Sequence, residues 1–179
     1  MQVFVPSAAP IVVAECLDRK RLNKQVIECR QIIKAVCGES SAWRNHPIVK
    51  MYSKHVLWLT LYAQCLEAYR RGDIGGARRY SCMAGKCTPP FLSGSNGVQL
   101  TYWHRGRLCK KDPEHYAKYF GFLPSEMNGL GIDNFIENVY IVDGKTLWYR
   151  DGKLVKVGMF PGDFYGERTW IFVEGKGWI

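Results

Sequence analysis

Residues 17–28 read L-D-R-K-R-L-N-K-Q-V-I-E. The apolar positions of this stretch continue downstream at spacings of three and four: Leu22, Val26, Cys29, Ile33 and Val36. That period predicts an amphipathic helix over 19–36. Asp18 stands where an N-cap is needed, because its carboxylate can accept from the orphan N–H groups of the first turn. Gly38 stands where the helix should stop. A helix of this length so early in the chain points to a helical core.

The pattern extends on both sides of a second motif, W-R-N-H-P (43–47). From His46-Pro47 onward, Tyr52, Val56, Leu59, Tyr62, Leu66 and Tyr69 mark a single long helix over 48–71, closed by Arg70-Arg71-Gly72. Residues 72–110 contain G-D-I-G-G-A-R-R and T-P-P-F-L-S-G-S-N-G and read as a long irregular stretch. Residues 112–119 read as a short helix with Asp112 at the N-cap and Pro113 at the first helical position. After about residue 126 the character changes. Asp143-Gly144 and Asp151-Gly152 separate β-rich runs, which predicts a three-strand antiparallel meander. The segment R-T-W-I-F-V-E-G-K-G-W-I (168–179) has the pattern of a further strand or hairpin. The expected fold is therefore mainly α with a C-terminal β-meander, α+β overall. A basic helical core would span 1–125 and a β-rich appendage 126–179.

The 179 residues are 47% hydrophobic and 23% charged, enough apolar material for a core and against disorder. No run approaches the ~20 apolar residues of a membrane-spanning helix. The start M-Q-V-F-V-P lacks the features of a signal peptide. The seven cysteines are odd in number and several fall in helical apolar patterns, so reduced thiols in a cytoplasmic setting are expected. The net charge of +9 is uneven: residues 1–125 hold 19 Lys and Arg against 8 Asp and Glu, and 126–179 hold 6 against 8. A positive field confined to one part of the chain points to a polyanionic partner, most simply nucleic acid.

Three clusters carry candidate chemistry. On a helical wheel at ~100° per residue, with Arg21 at zero, Lys24 falls at about 300°, Gln25 at about 40° and Glu28 at about 340°. The four polar groups share one arc beside the apolar stripe, and the cations would keep a Glu28 carboxylate ionised. The plain alternative is an ion-pair face. Arg44, His46, Lys50, Lys54 and His55 gather around Trp43 at a helix entrance, a mixture suited to phosphate contact and base stacking or to a helix cap with Trp43 in the core. In Y-W-H-R-G-R-L-C-K-K (102–111), His104, Arg105, Arg107, Lys110 and Lys111 interleave with Tyr102 and Trp103, a flexible basic–aromatic segment for nucleic acid. Cys82, Cys87, His104 and Cys109 have spacings at the edge of those used for zinc, but no compact C-x2-C is present, and no metal is expected. Phosphate-loop, dinucleotide and serine-hydrolase motifs are not found.

Four segments occur in order: M-Q-V-F-V-P, L-D-R-K-R-L-N-K-Q-V-I-E, W-R-N-H-P-I-V-K-M-Y and R-L-C-K-K-D-P-E-H-Y. Together they resemble the bacterial and phage branch of pyrimidine-dimer DNA glycosylases, the endonuclease V-like proteins, over about residues 1–122. S-K-H-V-L-W-L-T-L-Y (53–62) is similar to a family helix that begins with a His-Val pair, and the aromatic tail is similar to the family's C-terminus. The resemblance implies a small, mostly helical enzyme without metal or cofactor, acting on DNA in a bacterial cell or phage-infected host. Such enzymes cut the glycosidic bond of a cyclobutane dimer through an imine formed by the N-terminal α-amine, then nick the strand by β-elimination. Aligning the shared leucine with Leu22 places the family's essential helix glutamate on Glu28 and its basic neighbour on Arg21.

An α-amine with a pKa near ~8 is partly neutral at pH 7, unlike a lysine near ~10.4. It can therefore attack C1′ of the sugar while a carboxylate stabilises the cationic intermediate. Here Gln2 follows Met1, and a bulky second residue disfavours removal of the methionine. Three alternatives follow: Met1 supplies the amine, a lysine such as Lys24 replaces it, or the imine chemistry is absent. In the last case the chain would be a nucleic-acid-binding module that kept the fold, or a host-interaction protein acting through its β segment.

Overall fold

Asp18 caps the helix that the opening motif predicts. Helix α2 runs Arg19–Val36, and the Asp18 carboxylate accepts from the Arg21 N–H at 3.0 Å. The computed structural model describes residues 2–120, 138–143, 145–150, 153–158, 172–173 and 177–178. Gly38 adopts φ +80, the left-handed conformation that ends helices and that glycine tolerates best. The buried side of α2 is Leu22, Gln25, Val26, Cys29, Ile32 and Ala35. It drifts from the expected Ile33 and Val36, because a straight stripe at 3.6 residues per turn precesses around the helix.

The single helix expected over 48–71 is two. Helix α3 spans Pro47–Tyr52 and α4 spans Val56–Arg70. At the break, Ser53 Oγ donates to the Lys50 carbonyl at 2.8 Å, and His55 leaves helical geometry with φ −132. A serine hydroxyl that bonds back to the main chain competes with the helical ladder. Tyr52 and Trp58, on either side of the break, stack with ring centroids 6.0 Å apart in the core.

The stretch 72–110, expected to be irregular, is mostly helical. Helix α5, Ile74–Gly85, starts where the Asp73 carboxylate accepts from the Gly76 N–H at 2.8 Å. A Cβ on Gly76 would overlap that carboxylate, so the glycines belong to a capped first turn. After a 3-10 turn at Pro90–Leu92, helix α6 runs Gly94–Lys111. Gly97 lies against the Leu92 main chain, where a Cβ would collide, and this lets α6 close onto the turn. The basic–aromatic segment 102–111 is thus ordered helix. Helix α7 spans Pro113–Phe120 with Asp112 accepting from the His115 N–H at 3.1 Å, as its Asp-Pro start predicts. Helix α1, Pro10–Cys16, was not expected from the pattern.

Helix α4 is the hub, packing against α1, α2 and α5. Trp58, Leu59, Leu61, Tyr62, Ala63, Cys65 and Leu66 are all buried on it, so it is apolar nearly all round. Strands β1 (Asn138–Val142), β2 (Lys145–Arg150) and β3 (Lys153–Gly158) pair antiparallel in chain order, with Val139 opposite Trp148 and Tyr140 opposite Leu147. Asp143 turns at φ 47 between β1 and β2, while Gly144, Asp151 and Gly152 lie outside the described residues. Strand β1 rests on α3, and the Ile141 N–H points to Met51 Sδ at 3.4 Å. Strands β4 (Phe172–Val173) and β5 (Gly177–Trp178) form a separate pair. All seven cysteines are free thiols. Among the described residues no helix is long and apolar enough to cross a membrane.

Candidate active site

The first residues do not run over the surface. Val3 and Val5 are fully buried, so the extended segment 2–6 threads the core. A buried extended chain must find partners for its main-chain groups, and here side chains from three helices supply them. Gln25 Oε1 of α2 accepts from the Phe4 N–H at 3.0 Å. His104 Nδ1 of α6 accepts from the Val5 N–H at 3.2 Å. The Tyr62 hydroxyl of α4 donates to the Phe4 carbonyl at 2.6 Å, and Arg105 Nε donates to the Pro6 carbonyl at 2.8 Å. The other ring nitrogen, Nε2, meets the Gln2 side-chain amide nitrogen at 2.9 Å. Burial drives the His104 pKa down to about 3, so the ring is neutral.

Gln25 and His104, grouped by the sequence with surface chemistry, are buried side chains, and Arg105 is engaged with the N-terminal segment. Gln25 is 1% exposed and His104 2% exposed. Arg105 is half-buried, its guanidinium over the Tyr102 and Phe120 rings at 5.6 and 5.7 Å. All three hold the N-terminal segment. Hydrophobic patterning gave no sign of this, because a polar residue beside an apolar stripe reads as boundary or surface.

The clamped segment ends at Glu28. The Glu28 carboxylate accepts a hydrogen bond from the Gln2 backbone N–H, and Lys24 Nζ is 3.9 Å from Oε1. The side chain is 14% exposed, against 73% for Lys24, so the acid sits in a recess with its cation at the rim. Burial raises the Glu28 pKa above the usual carboxyl value, and Lys24, the positive amino terminus, the Gln2 N–H and Lys111 oppose that rise. Met1 lies outside the described residues. Lys111 belongs to this site more closely than its place in a basic run suggested. Burial and the neighbouring Arg107, Arg21 and Lys24 lower its pKa, with Glu28 acting the other way.

Arg21 is paired elsewhere despite sharing this acid's arc on the helical wheel. Its guanidinium pairs with Asp18 at 2.5 Å and lies over the Tyr116 ring at 5.5 Å. The Tyr116 hydroxyl in turn donates to Asp18 at 2.6 Å, which seams α7 to the start of α2.

The second cluster divides. His46 caps α3, accepting from the Ile48 N–H through Nδ1 at 3.1 Å. Burial, and then the amino-terminal charge, lower its pKa. Trp43 is 52% exposed rather than in the core. Arg44 and Lys50 are exposed. Lys54 pairs with Asp143 at 3.0 Å, and both side chains are about three-quarters exposed, so the pair contributes little stability. The His55 ring meets Phe91 at 5.4 Å. Of the third cluster, Arg107 lies over Trp103 at 5.7 Å, and Lys110 and Lys111 close α6.

A cleft of about 360 Å³ on another face of α2 is lined by Arg30, Gln64, Glu67, Arg71, Asp73 and Tyr80, among others. There Arg70 and Arg71 each approach Glu67 at 2.6 Å and Arg30 at 3.4 Å, an ion-pair knot that ties α2 to α4. Cys82, Cys87, His104 and Cys109 do not come together. Among the described residues no three His, Cys, Asp or Glu side chains could hold a metal ion.

Residues 1–73 match the family model of pyrimidine dimer DNA glycosylases. The match supports the resemblance read from the motifs. The glycosylase-like stretch takes in the clamped N-terminal segment, all of α2 with Lys24 and Glu28, the Trp43–His46 turn and α4. His104, Arg105 and Lys111, which complete the site, lie beyond it. No curated protein and no solved structure matched the chain.

Proposed function

We propose that this chain is a DNA glycosylase and AP lyase that acts on damaged or modified pyrimidines in double-stranded DNA. The observation that carries the reading is the Glu28–Gln2 hydrogen bond at the end of a side-chain-clamped N-terminal segment. In a helical protein, one extended strand pulled through the core and delivered to a recessed carboxylate has a direct use: it holds an α-amine against an acid.

The neutral amine attacks C1′, the N–C1′ bond forms, and the glycosidic bond breaks with the base leaving. Ring opening gives the imine. Removal of a C2′ proton then expels the 3′ phosphate by β-elimination. Glu28 stabilises the cationic sugar and imine and relays these protons. Its raised pKa suits that work, because a carboxyl closer to neutrality both accepts and returns a proton. Lys24 at the rim, Arg44, Lys50, Lys110 and Lys111 supply the phosphate-facing charge. The amine is the α-amine of Met1, with Lys24 and Lys111 as competing donors. The helical core of residues 1–125 carries the chemistry, and the β-rich 126–179 appendage braces it in the bacterial or phage-infected cytoplasm.

Borohydride reduction during reaction with abasic or dimer-containing duplex is the test. A covalent protein–DNA adduct is expected, and peptide mass spectrometry should place it on Met1. An adduct on Lys24 or Lys111 reassigns the nucleophile. Tight, salt-sensitive binding with neither adduct nor nicking would make the protein a non-catalytic binder and sink the enzymatic reading.

A further inference from the structure

Trp43 is out of place as a structural residue. Its indole is 52% exposed in the turn between α2 and α3, whose neighbours Ser41, Ala42, Arg44 and Asn45 are exposed as well. Its backbone is left-handed, with φ 69. Bulky residues rarely adopt that conformation, and strain of this kind gathers at functional positions. The turn is closed by ordinary hydrogen bonds, Arg44 N–H to the Ser41 carbonyl and His46 N–H to the Trp43 carbonyl at 2.8 Å, neither of which needs an indole. A glycine or asparagine would serve the backbone better. The side chain itself must be what the position is for.

The indole does not lie flat on the surface. It meets His46 edge to face, 5.4 Å between centroids at 71°. His46 meets Tyr140 of β1 in the same manner at 5.5 Å and 83°, and Tyr140 meets Tyr149 of β2 at 5.4 Å. A row of perpendicular rings therefore runs from the exposed indole into the three-stranded sheet. Such contacts are the preferred geometry of aromatic pairs and hold each ring at a fixed tilt. Helix α3, capped by His46, packs directly on α2, the helix that carries Glu28.

We infer that Trp43 is the stacking wedge that enters the DNA beside the lesion and fills the gap left when a nucleotide is drawn toward Glu28. Exposed Arg44 and Asn45 then face the backbone on the wedge's own turn. The aromatic row gives the β appendage a task, since Tyr140 braces the ring that braces the wedge. This rests on the DNA glycosylase reading above and deepens it.

The test uses the full chain and a duplex carrying a non-cleavable tetrahydrofuran abasic site with 2-aminopurine next to it. The W43G variant removes the indole and suits the left-handed turn, so it keeps the fold; W43F restores an aromatic face. Wild type should raise 2-aminopurine emission and prefer the abasic duplex over an undamaged one. W43G should lose the emission change and reduce that preference on the order of tenfold, as expected for one lost base–aromatic stack. Its affinity for undamaged duplex should change less than twofold, and W43F should recover most of the preference. If W43G discriminates and unstacks as wild type does, the wedge assignment is wrong while the glycosylase reading stands. If wild type itself shows no preference for the abasic duplex, the glycosylase reading fails and the wedge with it.

Discussion

Gln2 and His104 are 102 residues apart in the chain, and their side chains meet at 2.9 Å in the core. That contact, with the Val5 N–H on the other ring nitrogen, makes one buried histidine the anchor of the N-terminal segment. His104→Ala strands the Val5 N–H and should lower stability by about 1–3 kcal/mol, the range for a buried donor left without a partner. It should also lower kcat on the order of 10²-fold even where the protein is fully folded, because the amine loses its register against Glu28. Denaturant unfolding and single-turnover cleavage measure the two separately. A variant that is less stable but cleaves at the wild-type rate would remove His104 from any positioning role.

Glu28→Gln keeps the shape of the recess and deletes the proton relay. Strand cleavage should fall by about 10²–10⁴-fold, the usual worth of a positioned acid–base group. Binding to abasic duplex should hold within a few-fold, as read by fluorescence anisotropy. Unchanged cleavage would exclude Glu28 from the chemistry.

The pH profile follows from the direction of the Glu28 shift. Burial raises this pKa, so the ionised form is lost at a higher pH than for an ordinary glutamate as the solution is acidified. The acid limb of single-turnover cleavage should lie above the ~4.3 of a free glutamate. Lys24 pulls the pKa down, so Lys24→Gln should move the limb further toward neutral pH. A limb that moves the other way would show that another group controls it.

Asp18 shows the opposite shift. Burial alone would raise its pKa, but hydrogen bonds from Tyr116 and Arg21 and the Arg21 charge outweigh this and bring it down to about 2. A carboxyl depressed in the folded state stabilises above its unfolded pKa, and that stability is lost as pH falls through the folded value. Asp18→Asn should therefore lower stability by about 2 kcal/mol near neutral pH, with the difference from wild type narrowing between about pH 4 and pH 2. Urea unfolding at pH 7 and pH 3 checks both halves. An equal difference at the two pH values would mean that the Asp18 charge is not what matters.

Much of the helical frame was legible because local chemistry is strong there. Asp18 and Gly38 bounded α2 to within a residue, and Asp112-Pro113 marked α7, since caps and prolines act through the nearest few main-chain groups. The reading failed where glycine carried two meanings. Gly75-Gly76 and Gly94–Gly97 look like loop residues, yet they lie in the first turns of α5 and α6, admitted by the Asp73 cap and by the close approach to Leu92. The break at Ser53–His55 was equally hidden, because the apolar stripe continues through it.

The candidate site divides along the same line. Glu28 and its Lys24 neighbour sit one helical turn apart, and a helix alone brings i and i+4 together, so the sequence by itself determined that pair. Gln25, His104 and Arg105 are polar residues whose use depends on what a remote segment needs. Only the tertiary structure decided that they would grip residues 2–6, because buried main-chain groups must be satisfied by whichever donors and acceptors the folded helices bring within reach. The same holds for Trp43. Its apolar character suggested a place in the core, and the packing of α3 between α2 and β1 left it standing in solvent.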